Sequence, residues 1–165
     1  MTLPEDMLAI ANRESNEEAW RPSDFPRILE LASAHRLACI GGQFEFCGPL
    51  GTAELYWLNA AATPRERNED WGAYVARANS EVLDVFQSLI EQTDFCAEVQ
   101  ELEHISELFA RGAIPDLKER LYFVAHFSRE AAKVEPHGSK ADGQPIRSAT
   151  NQARSEAVRG TYVGR

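Results

Sequence analysis

Two glutamates are the best candidates for acid–base chemistry in this sequence. Glu45 and Glu54 lie in neighbouring segments that alternate apolar and polar residues, with a turn-rich segment between them. If the segments pair as a hairpin, both carboxyl groups lie on one side of it, where mutual repulsion would raise the pKa of one of them. Together with His126 they would suit a small hydrolase or transferase. Acidic residues on strand faces are common, so we expect these side chains to be solvated or to face a partner.

Other catalytic and metal-binding patterns are missing from the sequence. The cysteines Cys39, Cys47 and Cys96 are odd in number and widely spaced, as in proteins of a reducing compartment. We expect Cys39 and Cys96 to be small hydrophobic residues of apolar strands rather than nucleophiles. There is no Cys-x-x-Cys, no Gly-x-Ser-x-Gly and no histidine pair at ligand spacing. The sequence therefore predicts no catalytic residue, no metal and no cofactor.

The hairpin that would position the two glutamates is the clearest structural prediction. Its strands cover residues 37–47 and 53–59, and the turn between them contains glycine and proline. Gly41 and Gly42 inside the first strand predict a β-bulge. Strict alternation places on one side Ile40, Gly42, Phe44 and Phe46 of the first strand and Ala53, Leu55 and Trp57 of the second.

Three helices are predicted from apolar residues at helical spacing. The first is short, over residues 4–11; the second covers residues 25–35, with Asp24 as its cap and Pro26 in its first turn. The third is long, over residues 70–92, and its apolar face must cover a sheet. The face predicted to be apolar comprises Trp71, Tyr74, Val75, Ala78, Val82, Val85, Phe86 and Leu89, and the solvated face comprises Arg77, Glu81, Asp84 and Glu91.

The remaining segments decide the fold class. Alternation predicts a third strand over residues 95–100 and a last strand over residues 120–128, with a further helix from Leu102 to Phe109 between them. This order has too few crossover units for a doubly wound fold. We therefore predict an α+β fold: a mostly antiparallel sheet of about four strands with helices packed on one face.

The other face of that sheet combines aromatic and acidic side chains. Such a mixture suits recognition of a protein partner. In an alternative arrangement, the N-terminal segment or the tail covers this face and its tyrosines fill a second small core. The residues predicted to share the face are Gln43, Glu45, Glu54, Tyr56, Tyr122 and His126.

The charges are divided unevenly along the chain. Residues 1–135 carry 24 acidic and 12 basic side chains, whereas residues 136–165 carry 2 and 5. We predict a single domain over residues 1–135 and a basic, flexible C-terminal tail over residues 136–165. An acidic body repels nucleic acid but suits the basic cleft of a protein that processes nucleic acid. No segment has the length and apolar character of a membrane span, so we expect a cytoplasmic protein without membrane contact.

The layout of residues 24–90 resembles a known class of proteins. A helix leads into Ala38-Cys39-Ile40-Gly41-Gly42-Gln43-Phe44, and a hairpin follows with Glu54-Leu55-Tyr56-Trp57-Leu58; Trp71-x-x-Tyr74-Val75 then opens an amphipathic helix. This arrangement is similar to the small acidic cytoplasmic immunity proteins that bacteria encode beside polymorphic toxins. The resemblance implies a non-enzymatic inhibitor. The class shares no catalytic signature, and the basic tail departs from its layout.

We therefore expect a protein-binding module, an immunity protein that neutralises a basic cognate toxin by protein–protein binding. An adaptor or subunit of a larger assembly, docking through its basic tail, is an alternative; a small hydrolase or transferase is another. The predicted partner-binding residues are Glu45, Glu54, Tyr56, Tyr122, His126, Glu81 and Asp84.

Overall fold

In a computed structural model of the protein, the described part of the chain is built around one antiparallel sheet. The strands are β1 (Ala19–Trp20), β2 (Ala38–Gly48), β3 (Gly51–Ala61) and β4 (Leu121–Ser128), and they lie in the order β1-β4-β2-β3. The helices are α1 (Glu5–Leu8), α2 (Phe25–Ala34), α3 (Trp71–Gln92) and α4 (Phe95–Gln100), with a 3-10 turn at Lys118–Arg120. The α+β fold with a four-stranded antiparallel sheet and packed helices is thus confirmed.

The structure describes residues 1–12, 17–48, 51–100, 102, 116 and 118–131. All of them belong to a compact unit that spans Met1–Ala132. The predicted tail over residues 136–165 and the helix predicted from Leu102 to Phe109 lie outside the described residues, apart from Leu102 itself.

The main core lies between the helices and one face of the sheet. Phe123 of β4 is fully buried there, and its ring centroid lies 4.5 Å from that of Phe25, 5.0 Å from Phe44 and 5.1 Å from Phe86. Burying a phenylalanine side chain contributes roughly 2 kcal/mol, so this cluster is a large part of the drive to fold. Leu121 and Ala125 point into the same core, as the alternation of β4 predicts.

The β-bulge predicted at the glycine pair is confirmed. The β2–β4 ladder passes from Cys39 opposite Phe127 to Gly41 opposite His126, which leaves Ile40 as the extra residue. Gly41 has φ of 154°, and a Cβ atom there would lie 2.8 Å from the carbonyl oxygen of Ala60. The bulge therefore reverses the sides predicted for two residues: Cys39 is buried, and Ile40 is 44% exposed.

Asn79 of α3 binds the backbone beside this bulge. The amide N–H of Cys39 donates to Asn79 Oδ1 at 2.7 Å, and Asn79 Nδ2 donates to the Leu37 carbonyl at 3.2 Å and to Ser33 Oγ at 2.8 Å. The Asn79 side chain is buried, with 5% of its surface exposed. Its amide group therefore satisfies backbone groups that would otherwise be buried without partners, and it joins α2, α3 and β2.

The helices largely follow their predicted bounds. Asp70 caps α3 by accepting from the amides of Gly72 at 2.8 Å and Ala73 at 3.2 Å. Pro26 lies in the first turn of α2 as predicted, but the Asp24 side chain makes no capping hydrogen bond. The spacing predicts Val85 on the apolar face of α3, but Val85 is 40% exposed because it lies at the margin of that face.

The predicted third strand is wrong, because residues 95–100 form α4. Asp94 Oδ1 accepts from the amides of Cys96 at 3.1 Å and Ala97 at 3.2 Å, which is the N-cap arrangement of a helix. Cys96 is therefore a helical residue rather than a strand residue. The remaining strand of the sheet is β1, whose two residues, Ala19 and Trp20, are too few to produce an alternation.

The role of Asn79 leads to a stability prediction. Asn79→Leu leaves the Cys39 N–H and the Leu37 carbonyl without their side-chain partner, and we expect a loss of about 2–4 kcal/mol in the free energy of unfolding, measured by urea denaturation. Ser80→Leu introduces the same side chain at the exposed neighbouring position of α3 and should change stability by less than about 0.5 kcal/mol. Equal losses in the two variants would contradict the role assigned to Asn79.

Candidate functional site

The structure brings together several of the predicted partner-binding residues on the second face of the sheet. In the ladders, Glu45 of β2 lies opposite Glu54 of β3 on one side and opposite Tyr122 of β4 on the other. Gln43 Nε2 donates to Glu54 Oε2 at 3.2 Å. His126 lies opposite Gly41 and is exposed. The hairpin register therefore places the two glutamates side by side, as the sequence predicts.

Two of the six residues predicted to share this face are buried. Glu45 is 3% exposed and Tyr122 is 8% exposed, and Tyr122 belongs to a second small core with Ala19, Cys47 and Val124. The Cys47 thiol donates to Glu45 Oε1 at 3.5 Å. The placement of Tyr122 matches the alternative in which the tyrosines of this face fill a second core, whereas the exposed Tyr56 does not. Burial leaves little of Glu45 or Tyr122 for a partner to contact.

The exposed aromatic surface lies at the neighbouring edge strand. β2 and β3 pair Gln43 with Asn59 but the next residue, Phe44, with Leu55, so that residues 56–58 form a bulge in β3. Leu58 turns into the main core, whereas Tyr56 and Trp57 remain 66% and 43% exposed. The predicted alternation of β3 is therefore wrong at Trp57 and Leu58, because the bulge exchanges their sides.

Local hydrogen bonds hold the two exposed aromatic residues in place. Asn59 Nδ2 donates to the Tyr56 carbonyl at 2.7 Å, and Trp57 Nε1 donates to Glu98 Oε2 at 2.9 Å. The rings of Tyr56 and Trp57 meet edge to face, with centroids 5.2 Å apart and an interplanar angle of 84°. We call Glu54, Tyr56, Trp57 and Glu98 the aromatic edge. Rigid aromatic side chains lose little entropy on binding, which suits them to recognition.

Sequence reasoning missed Trp57 and Glu98 as site residues. The sequence pattern predicts a strand where Glu98 lies in α4, and it predicts that Trp57 faces the core. One signal was available: Tyr56, Trp57 and Leu58 are three consecutive large apolar residues, which a half-buried strand accommodates only with an irregularity.

The predicted acidic residues of the long helix have different roles. Asp84 is exposed. Glu81, by contrast, holds the loop after β3 against α3: its Oε2 accepts from the amide of Thr63 at 2.7 Å, and its Oε1 accepts from Arg77 Nη1 at 2.9 Å. Arg77 Nη2 also donates to Glu69 Oε2 at 2.8 Å. The solvated face predicted for this helix is thus in part a network of ion pairs.

These contacts change the ionisation of the carboxyl groups involved. The hydrogen bonds from Arg77 lower the pKa of Glu69 from its ordinary 4.5 to about 2. The Thr63 amide, followed by Arg77, lowers the pKa of Glu81. In the core, burial raises the pKa of the Cys39 thiol to about 12, which keeps it protonated and unreactive at neutral pH.

The described residues offer no metal site, since no group of three or more His, Cys, Asp or Glu side chains converges among them. None of the helices in the described ranges is long and apolar enough to cross a membrane. Comparisons with protein-family models, with curated proteins and with solved structures give no match for this chain.

The Arg77 network predicts an acid-sensitive contribution to stability. Because Glu69 and Glu81 have lowered pKa values in the folded protein, their contribution is fully present above about pH 5 and is lost as the pH falls towards about 2. Arg77→Met should therefore lower the urea midpoint at pH 7, and its difference from the wild type should shrink progressively on acidification.

The control for this prediction is Arg36→Met. Arg36 forms a longer and more exposed ion pair, 3.4 Å from Glu130, and its removal should leave the urea midpoint nearly unchanged at every pH. If the difference in urea midpoint between the wild type and Arg77→Met stays constant from neutral to acidic pH, the stabilising role assigned to the ion pairs of Arg77 is contradicted.

Proposed function

We propose that this protein is a non-enzymatic immunity protein that neutralises a basic cognate toxin in the bacterial cytoplasm by binding to it through the aromatic edge. The observation that carries the proposal is the exposed pair Tyr56 and Trp57, held in a bulge of the edge strand β3 between Glu54 and Glu98. Tyrosine and tryptophan are frequent anchors at protein interfaces, and a bulge also discourages unspecific strand pairing.

The charges favour a basic partner. The chain has a formal net charge of -9, and both ends of the aromatic edge carry a glutamate. Carboxylates around an aromatic anchor complement lysine and arginine side chains, and the long-range field of an acidic protein speeds its encounter with a basic one. A toxin that binds nucleic acid has such a basic cleft, because it must attract phosphate groups.

The predicted partner-binding residues divide accordingly. Glu54 and Tyr56 belong to the aromatic edge, and Asp84 and His126 are exposed elsewhere on the domain. Trp57 and Glu98 join the set because their side chains meet at this edge. In this proposal Glu45 and Tyr122 support the sheet beneath the surface, and Glu81 fixes the loop after β3.

The test requires a cognate toxin as the partner, and we expect a gene beside this one to encode a basic toxin-like domain; absence of such a gene would count against the proposal. Isothermal titration with the purified domain should give one-to-one binding whose Kd rises with salt. Tyr56→Ala with Trp57→Ala should weaken binding at least about thirtyfold, since the two anchors together contribute at least about 2 kcal/mol. Val85→Ala, which removes an exposed apolar side chain from α3, should leave the Kd unchanged.

Two further measurements separate this proposal from its alternatives. Protection of a toxin-expressing strain should require at least one copy of this protein per toxin; protection at substoichiometric amounts would indicate an enzyme instead. Removal of residues 136–165 should leave the Kd within about threefold. Loss of binding on that truncation would favour an adaptor that docks through its tail, and binding indifferent to both salt and the aromatic substitutions would refute the proposal.

A further inference from the structure

A cavity of about 500 Å³ opens beside the N-terminal end of α4, between the turn before α2, the C-terminal end of α3 and the start of β4. Its apolar wall includes Ile90, Phe95 and Leu121. Leu121 is buried, Phe95 is half-buried and Ile90 is 38% exposed, so the apolar surface runs from the interior to the opening. Cavities of this size typically hold small organic molecules.

Two cations line the same cavity. Arg21 and Lys118 are both exposed, and neither forms an ion pair within the part of the chain that the structure describes. The Arg21 guanidinium lies over the Tyr122 ring, 5.8 Å from its centroid. Unpaired cations beside an apolar cavity are unexpected in a chain of net charge -9, and they would attract an anion.

The carboxylates near these cations are engaged with backbone groups. Asp94, which also lines the cavity, accepts from the amides of Cys96 and Ala97. Asp116 Oδ1 accepts from the amide of Lys118 at 2.8 Å. The hydroxyl groups of Ser23 and Thr93 add neutral donors to the lining. Among the described residues that line the cavity, the groups able to bind an anion thus outnumber the single carboxylate, Asp94, that would repel it.

The apolar surface continues beyond the cavity. A neighbouring depression of about 420 Å³ shares Pro22, Ser23 and Ile90 with it and extends to Pro26 and Phe86. The two together form a groove with cations at one end and apolar side chains in its middle, and Gln87 and Glu91 line its far end beside Pro26 and Phe86. This shape and polarity match a molecule with one anionic head group and an apolar tail.

We propose that this groove binds a small amphipathic anion, with its head group between Arg21 and Lys118 and its apolar tail along Ile90 and Phe95. The shared chemistry of the head group is a carboxylate or a phosphate monoester, both of which arginine and lysine bind. The site is separate from the aromatic edge, and the proposal does not depend on the function proposed above.

Cys96 provides a reporter for this site. It lines the cavity and is partly exposed, whereas Cys39 and Cys47 are buried. A thiol reagent such as DTNB should therefore modify Cys96 first in the full-length native protein, and Cys96→Ser should remove this fast phase. A ligand in the groove should slow the modification by covering the thiol.

The experiment measures this rate with octanoate, octyl phosphate and octanol as probes. Octanoate or octyl phosphate should slow the modification about fivefold at a concentration four times the Kd, following simple occupancy. Octanol, which has the same tail without the charge, should need at least about tenfold higher concentration, since a charge-assisted contact contributes more than 1.4 kcal/mol. The comparison of the two anions identifies the preferred head group.

Matched variants locate the anion. Arg21→Gln with Lys118→Gln should raise the apparent Kd of the anionic probe at least about tenfold, and Arg21→Lys with native Lys118 should retain most of the affinity. Arg27→Gln removes an exposed cation of α2 that does not line the groove and should have no effect. Equal protection by octanol, no protection by either anion, or an equal loss in Arg27→Gln would overturn the proposal.

Discussion

The satisfaction of backbone hydrogen bonds in an irregular inner strand is the constraint on which this structure depends. β2 lies between β3 and β4, and it is out of regular register with each of them at a different point. Each irregularity frees polar backbone groups in or near the core, where an unpaired group is costly. At Cys39 the partner is the buried amide of Asn79, which also binds Leu37 and Ser33. The Asn79 side chain thus adds hydrogen bonds to the apolar packing that holds the long helix on the sheet.

The second irregularity produces the surface that we assign to recognition. The bulge at residues 56–58 lets Leu58 reach the core while Tyr56 and Trp57 stay at the surface, and Asn59 binds the displaced backbone. A regular β3 would have buried Trp57 and exposed Leu58. The same distortion that preserves the core therefore displays two aromatic residues at a sheet edge, beside glutamates that keep the surface soluble.

The acidic residues of the chain do not act as one uniform surface. Glu45 is buried next to Cys47, Glu69 and Glu81 are bound by Arg77, and Glu54 and Glu98 flank the aromatic edge. Net charge describes long-range attraction, whereas local contacts decide which carboxylates a partner can meet. Net charge and local charge also differ at the groove, where Arg21 and Lys118 place two cations on the lining of an acidic protein.

The sequence by itself determined the α+β class, the hairpin, the bulge at Gly41, the capped helix α3 and the sides of β4, because each depends on periodicity or turn chemistry within a short segment. Only the tertiary structure decided that residues 95–100 form a helix, that Trp57 lies outside and that Glu45 and Tyr122 lie inside. A bulge shifts every later side chain to the other face, and burial depends on segments distant in sequence. Neither effect is visible in local alternation, which is why the fold class was predictable and the exposed site was not.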